Sequence, residues 1–416
     1  MDAEILSVGT EVTRGDVVDT NAAYLARELS ALGANVRFHV AVADCSGDIE
    51  AALRQACQRS RLVLVTGGLG PTPDDLTREV VARVLGVPLI TIADEVERLR
   101  NFFRRRGRPM PESNLKQAMV PAGARALPNS VGTACGFWAT AGMTQIIVLP
   151  GVPTEMEVMF STAVRDDLRR HLGEIGVAVE QVQTFGLPES ELASRIHDLM
   201  RRGANPDVGT RLADGTISVR IVARAATRAA AQALAHATAA EVAQRLGEAV
   251  YGYGETTLEE ALARHLERLG CTIAIAESCT GGLVGGLLTS VPGISRFFLE
   301  GVVAYSNEAK VKQLGVDATL ITRHGVVSAE VAQAMAAAIR RAAGADIGVG
   351  VTGIAGPGGA TPAKPVGLVY IAIADNRGGE CHELRLAGSR QQVRLRAARA
   401  VLNFVRLRLL RQEAKN

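Results

Sequence analysis

Two parts of this chain place reactive side chains where a strand gives way to a helix. In the first, the run Arg61 to Thr66 passes into Gly67-Gly68-Leu69-Gly70-Pro71-Thr72-Pro73-Asp74-Asp75-Leu76-Thr77. Glycines let the backbone come close to a ligand, and free N–H groups at a helix start attract phosphate. The spacing is neither a dinucleotide fingerprint nor a Walker loop, because no Lys-Ser/Thr pair follows. Its carboxylates carry more information than its glycines. Asp74 or Asp75 at the mouth of a phosphate cradle repels the phosphate unless a hard cation such as Mg²⁺ lies between them. The plainer alternative is that one aspartate only caps the next helix. Glu155, in Leu149-Pro150-Gly151-Val152-Pro153-Thr154-Glu155, follows another strand and is a candidate third oxygen ligand. Gly9-Thr10-Glu11 ends the first strand and leads to Asp19-Thr20-Asn21. Loops after parallel strands share one rim of a sheet, so together they suit a phosphorylated ligand.

In the second part, the run Thr272 to Ala276 is followed by Glu277-Ser278-Cys279-Thr280-Gly281-Gly282 and a helix expected from about Thr280. Backbone N–H groups at that helix start could bind an anion or a developing oxyanion. A nucleophilic serine needs a base, and none of the seven histidines lies close to it in sequence. Tyr305-Ser306-Asn307-Glu308-Ala309-Lys310 ends another strand and opens another helix, making Lys310 and Tyr305 candidates to face Ser278. A partly desolvated lysine is neutral enough to take the serine proton. Equally, Ser278 reads as an N-cap and Lys310 as a solvated helix residue. Cys279, a thiol at a helix start without a nearby histidine, ranks below Ser278. Gly353, Gly356 and Gly358 permit close approach by a ribose phosphate, and Lys364 can neutralise it. Arg390 and Arg394, at i and i+4, present two guanidinium groups on one helix face for a phosphate or carboxylate. The remaining arginines through Arg411 read as a solvated face or a contact for an acidic partner.

These residues require an α/β scaffold. Residues 1–169 alternate apolar runs with amphipathic helices: strands at Ala3 to Val8, Asn35 to Val42 and Arg61 to Thr66, helices at Thr20 to Leu32, Asp48 to Arg59 and Ala93 to Arg105. That pattern predicts a three-layer domain with a mostly parallel sheet. Residues 170–255 predict a smaller α+β module, with a hairpin at Asp214-Gly215, a long alanine-rich helix from Thr227 to Leu246, and a linker at Tyr251-Gly252-Tyr253-Gly254. Residues 256–416 open with a Thr cap and Glu260 at capping-box spacing, then return to three-layer α/β.

A chain of 416 residues, 47% hydrophobic and 21% charged, suggests two or three globular domains and excludes disorder throughout. Its net charge of +3 and 4% aromatic content argue against direct nucleic-acid binding. Six scattered cysteines show no metal-ligand spacing. No signal peptide or membrane span is evident, so a cytoplasmic location is expected.

The segments GTEVTRGDVVDTN, TGGLGPTPDDLT and LPGVPTEM resemble the molybdopterin-binding fold of the MoaB and MogA type, as it occurs at the front of the CinA (competence/damage-inducible) family. The segments AESCTGG, AYSNEAKVKQLGV, GVTGIAGPGGATPAKPVGLVYIA and GSRQQVR are similar to the C-terminal domain of that family, and FGLPESELASRI lies between them. The resemblance implies an N-terminal ADP-ribose pyrophosphatase using a divalent metal, Mg²⁺, Mn²⁺ or Co²⁺, with Asp44 and Asp75 matching the two functional aspartates of the related molybdopterin proteins; Asp74 and Glu155, from the loops themselves, complete the expected ligand set. Gly67, Gly68, Gly70, Thr72 and Asn21 are then its substrate contacts. The family pattern around Asp44 is more often Gly-Asp-Asn; here it is Ala43-Asp44-Cys45. For the C-terminal domain the resemblance implies metal-free deamidation of nicotinamide mononucleotide, with Ser278 as nucleophile, Lys310 as base, and Tyr305 and Thr280 orienting or stabilising the oxyanion. Gly281, Gly282, Gly353, Gly356, Gly358, Lys364, Arg390 and Arg394 are the expected substrate contacts. The expected partners are pyridine and adenine nucleotides, with no membrane, no nucleic acid and, by analogy, a second copy in a homodimer. Two rival readings are an N-terminal domain that binds nucleotide as an adaptor without turnover, and a pterin-cofactor enzyme.

Overall fold

The structure, a computed structural model, describes residues 1–173, 176–201, 203–213 and 215–413. It divides into two compact units, Met1–Ala178 with Ala223–Ala233, and Val179–Val222 with Leu234–Asn416.

The first unit holds eight strands: β1 (Asp2–Val8), β2 (Asn35–Val42), β3 (Leu62–Thr66), β4 (Leu89–Thr91), β5 (Met119–Pro121), β6 (Arg125–Leu127), β7 (Gly136–Ala141) and β8 (Thr144–Leu149). Six form one sheet in the order β2-β1-β3-β8-β7-β6, while β4 and β5 pair separately. β1, β2, β3 and β8 are parallel, and β7 and β6 run antiparallel at the edge. β3 is buried along its whole length, as a strand covered on both faces must be. Ile5, Leu64 and Ile147 pack with Leu25, Leu29 and Met159 on one face. Leu6, Val63 and Val148 pack with Ile49, Leu53 and Val80 on the other. The loop expected at Thr10 contains a short helix, Thr10–Arg14, stopped by Gly15 at φ 78°.

A four-stranded sheet follows, in the order β10-β11-β9-β12, from β9 (Gly176–Thr184), β10 (Asp207–Ala213), β11 (Thr216–Ala225) and β12 (Val250–Tyr253). β10 and β11 pair antiparallel, closing at Ala213 and Thr216. The expected turn residue Asp214 lies outside the described residues; Gly215 has φ 85°. The segment expected as a linker, Tyr251 to Gly254, is largely strand. Val250–Tyr253 has its own antiparallel partner in β9, a long-range pairing that its local glycine content conceals.

The remaining five strands are β13 (Ile273–Glu277), β14 (Phe298–Val303), β15 (Ile347–Gly353), β16 (Leu368–Asp375) and β17 (Gly378–Arg385), in the order β14-β13-β15-β16-β17. β13 is parallel to both neighbours; β16 and β17 are antiparallel. On one face Ile273, Ile275, Val349 and Val351 pack with the helices Leu258–Leu269 and Arg390–Glu413. The first of these opens with the capping box of Thr257 and Glu260. On the other face Ala274 and Ala276 meet the helix Ala329–Ala343. That helix lies so close that a Cβ on Gly350 would stand 2.2 Å from the Ala332 carbonyl oxygen. Glycine is required there because helix backbone occupies the side-chain position.

Gly350→Ala should therefore lower unfolding stability by roughly 1–3 kcal/mol, the usual cost of overpacking. A urea-denaturation midpoint equal to the parent's would show that the helix can retreat freely.

Candidate functional site

In the second unit, a pocket of about 430 Å³ opens beyond the ends of β13 and β15. Its wall includes Ser278, Cys279, Tyr305, Asn307, Lys310, Thr352, Gly353, Gly356, Gly358, Thr361, Lys364 and Arg390. Ser278 follows the last residue of β13, and its N–H donates to the Val351 carbonyl of the neighbouring strand. The helix Asn307–Leu314 delivers Lys310, whose Nζ lies 2.9 Å from Ser278 Oγ and 2.8 Å from the Ala304 carbonyl. The Tyr305 and Ser306 carbonyls lie at 3.4 and 3.5 Å. Lys310 is only 1% exposed, and among the described residues no carboxylate pairs with it. Burial holds its ammonium below the ordinary lysine range, because water that would solvate the charge is excluded. A neutral Nζ can donate to two carbonyls while its lone pair accepts from the serine hydroxyl. Burial pushes the Cys279 thiol up to about 12, which leaves it protonated and a poor nucleophile at neutral pH.

Several expected contacts fall elsewhere. The helix after Ser278 begins at Leu283, not near Thr280. Its first N–H groups are not open to an anion, because the buried Glu277 carboxylate accepts from Gly282, Val284 and Gly285 at 2.8–3.2 Å. Gly281 and Gly282 consequently belong to the turn rather than to the pocket wall. Thr280 is fully buried away from the pocket, and its hydroxyl has no partner among the described residues. Arg394 donates to the Thr280 carbonyl at 2.8 and 3.2 Å, bracing this turn instead of facing the pocket. Arg390, by contrast, lines the pocket, donating to the Gly356 carbonyl and to the Tyr305 hydroxyl at 2.6 Å each. That ties the Tyr305 phenol, 57% exposed, to the rim; its carbonyl, not its hydroxyl, reaches Lys310. Lys364 Nζ donates to the His324 and Val327 carbonyls at 2.7 and 2.6 Å. One ammonium proton remains for a ligand.

In the first unit, a pocket of about 500 Å³ lies at the ends of β1, β3 and β8. Glu11, Asp44, Asp74, Asp75 and Glu155 line it, with Gly67, Gly68 and Gly70. Each of three carboxylates is held by a hydrogen-bond donor, Asp75 within its own loop and Asp44 and Glu155 from another loop. Asp44 Oδ2 accepts from Thr10 N and Oγ1 at 2.8 Å, and Asp75 Oδ2 accepts from Thr72 N and Oγ1 at 2.8 and 2.5 Å. Glu155 Oε2 accepts from Asn129 Nδ2 at 2.6 Å. A Cβ on Gly70 would stand 2.4 Å from the Asp75 carboxylate, and one on Gly132 would stand 2.0 Å from that of Glu155. These glycines make room for the site's own carboxylates. Thr72 and Asn21, expected as substrate contacts, are instead braces: Asn21 is buried and donates to Thr66 Oγ1 and the Gly151 carbonyl.

Carboxylate oxygens are the right donors for a hard divalent ion. Among the described residues, however, no three His, Cys, Asp or Glu side chains converge as a metal-holding group. The four expected ligands share a pocket without forming a cage. The fit is to an ion that takes one or two carboxylates and completes its shell with ligand phosphate and water.

Family models match along the chain. Residues 4–170 match a probable molybdopterin binding domain, 180–252 the damage-inducible protein CinA KH domain, and 255–409 the CinA C-terminal domain. A CinA-like protein of Kosmotoga olearia is 42% identical over 99% of both chains. The chain belongs to the CinA family. A putative competence-damage inducible protein of Symbiobacterium thermophilum is 44% identical, again over 99% of each. The crystal structure of CinA from Thermoplasma acidophilum shares 36% identity, covering 40% of this chain and 96% of that one, with a TM-score of 0.37. In this CinA-family chain, the stretch matched by the KH model contains no Gly-x-x-Gly, the loop with which KH modules clamp a nucleic-acid backbone. Among the described residues, no helix is long and apolar enough to cross a membrane.

Sequence reasoning missed Glu277, Asn307, Thr352 and Thr361. A strand-ending glutamate ahead of a Gly-Gly turn is a recognisable cue for the first; the others depend on chain crossings. Glu277→Ala leaves helix-start N–H groups without their charged acceptor. It should cost about 1.5–3 kcal/mol of stability, read from a thermal or urea unfolding curve. A change below about 0.5 kcal/mol would mean that solvent replaces the carboxylate fully.

Proposed function

We propose that the C-terminal pocket is a serine amidase site that deamidates a pyridine mononucleotide, releasing ammonia and leaving the nucleotide carboxylate. The observation that carries this reading is the 2.9 Å contact between Ser278 Oγ and a buried Lys310 amine without a carboxylate partner. Neutral Lys310 takes the serine proton as Oγ attacks the carboxamide carbon. The resulting ammonium returns a proton to the departing nitrogen, releasing ammonia and an acyl-serine. Lys310 then deprotonates a water that hydrolyses the ester, restoring the free hydroxyl. Arg390 and Lys364, already held by backbone carbonyls, present cations at the same wall for the substrate phosphate.

Ser278→Ala should reduce ammonia release from nicotinamide mononucleotide on the order of a thousandfold or more. Retention of the parental rate would remove the covalent route. Because the neutral form of Lys310 is the base, kcat/KM should rise with pH through a limb lying below the ordinary lysine value. That limb should vanish in Lys310→Met, and a parental profile in this variant would eliminate Lys310 as the base.

For the N-terminal pocket, we infer hydrolysis of a nucleoside-diphosphate sugar of the ADP-ribose type. The carboxylate-lined pocket beyond the parallel strands supports this reading. Asp44, Asp75 or Glu155 would hold a divalent ion, which supplies charge neutralisation at the pyrophosphate. Thr10, Thr72 and Asn129 fix these carboxylates in orientation before ligand arrives. Both domains would then act on products of pyridine-dinucleotide breakdown. The second reading, binding without cleavage, is favoured by the lack of three converging ligands among the described residues. ADP-ribose turnover that requires a divalent ion and falls at least a hundredfold in Asp75→Asn supports hydrolysis. Ligand binding with no turnover under any divalent ion supports the second reading.

A further inference from the structure

Glu11, Asp44, Asp74, Asp75 and Glu155 line the N-terminal pocket, and a pyrophosphate has to approach all of them. Immediately after the glycine loop, Thr77 and Arg78 open the helix Thr77–Leu85, and both are fully buried. From there they hold three consecutive carbonyls of the loop. Thr77 Oγ1 donates to the Gly67 carbonyl at 2.8 Å, Thr77 N to that of Gly68 at 3.2 Å, and Arg78 Nη2 to that of Leu69 at 3.0 Å. With these carbonyls engaged, the N–H groups of Gly68, Leu69 and Gly70 have no partner among the described residues, and all three residues belong to the pocket wall. Consecutive free N–H groups of a glycine turn suit an anion.

Arg78 brings a charge as well as a brace. A guanidinium stays protonated at any ordinary pH. Its Nε and Nη1 have no partner among the described residues, and its Nη2 meets only a neutral carbonyl. Burying a cation in this way is costly, so the groups that feel it matter. Burial lowers its basicity; the groups whose negative charge opposes that shift are Cys135, Glu79 and Asp75. Burial pushes the Cys135 thiol up to about 11, which leaves it uncharged at neutral pH. Glu79 has its own cation in Lys116, at 3.4 Å. The Asp75 carboxylate, on the pocket wall, is held by Thr72 N and Oγ1, and Lys116 reaches Asp75 only at its backbone carbonyl.

We propose that Arg78 is a positioning residue, the buried counter-charge of the N-terminal pocket, which weakens the hold of the carboxylates on a bare divalent ion and strengthens binding of that ion together with an anionic diphosphate. This rests on the reading of the pocket as a site for a divalent ion and a pyrophosphate. A fixed positive charge repels an incoming cation and attracts an incoming phosphate, and salt screens a buried charge poorly. The ion is then held firmly only when the diphosphate arrives with it.

The test uses the full chain with Arg78→Met, which removes the charge from a long side chain, and Arg78→Lys, which keeps it. Titration calorimetry measures binding of Mn²⁺ alone and of ADP-ribose at saturating Mn²⁺, and Asp75→Asn identifies the signal that belongs to this pocket. Arg78→Met should bind Mn²⁺ on the order of tenfold more tightly and ADP-ribose on the order of tenfold more weakly. Arg78→Lys should stay within about threefold of the parent for both. A merely structural role does not move the two affinities in opposite directions, because a displaced loop weakens both. Unfolding midpoints check that each variant is folded, and Arg78→Gln replaces Arg78→Met if the apolar side chain is not accepted. Anything short of opposite shifts in the uncharged variant would overturn the proposal, as would Arg78→Lys behaving like it. A parent that binds ADP-ribose with Mn²⁺ but does not cleave it fails the hydrolysis reading alone, and the affinities still decide the role of Arg78. A parent without ADP-ribose binding in the presence of Mn²⁺ overturns both.

Discussion

A lysine amine sealed from water and ringed by carbonyl oxygens is the constraint around which the C-terminal half is organised. An ammonium without a nearby carboxylate is costly to bury, and the group answers by losing its proton more readily. For that to happen, the helix bearing Lys310 must dock with its first turn against the end of β13. The Ala304 carbonyl must turn inward, and Ser278 must project from the adjacent strand end. A lysine on the surface of the same helix would have none of this chemistry. The lowered basicity of this amine follows from burial, and burial follows from the two-sided packing of a central strand.

Glu277 shows how closely support and chemistry are interleaved. It is the last residue of β13, one position before Ser278, and its carboxylate accepts from the N–H groups at the start of the following helix. That fixes the turn carrying Ser278, and Arg394 holds the same turn through the Thr280 carbonyl. Arg394, expected as a ligand contact, and Glu277 therefore both serve the backbone geometry around Ser278. Arg390, only one helical turn away from Arg394, faces the pocket instead. The i, i+4 spacing placed them on one face, yet the face is wide enough for the two guanidinium groups to do different work.

The N-terminal pocket follows a different logic. Its carboxylates Asp44, Asp75 and Glu155 are immobilised one by one, each through one oxygen, Asp75 within its own loop and the other two by a neighbouring loop, and glycines at 70 and 132 leave the volume that two of them fill. Such a site presents fixed negative charge without closing around an ion by itself. Electrostatically, it discriminates against bare phosphate and favours a ligand that arrives with a counter-charge.

Much of this was legible in the chain itself. Unbroken apolar runs such as Leu62–Thr66 mark strands buried on both faces, and glycine-rich turns after them mark the rim where ligands bind. The Ser278 and Lys310 pair follows from residue type and from the resemblance of AESCTGG and AYSNEAK to the CinA family. Three things were decided only by tertiary structure. Val250–Tyr253 is a strand because β9 supplies a partner far away in sequence. Thr72, Asn21 and Arg394 brace the chain because their hydrogen bonds run to it, and burial removes Thr280 from the pocket. Asn307 joined the pocket wall because its helix docks beside the end of β13. Local sequence encodes periodicity, turn chemistry and the reactive groups available. Which of those groups is left facing a ligand depends on where every other donor and acceptor goes, and that is settled only when distant segments meet.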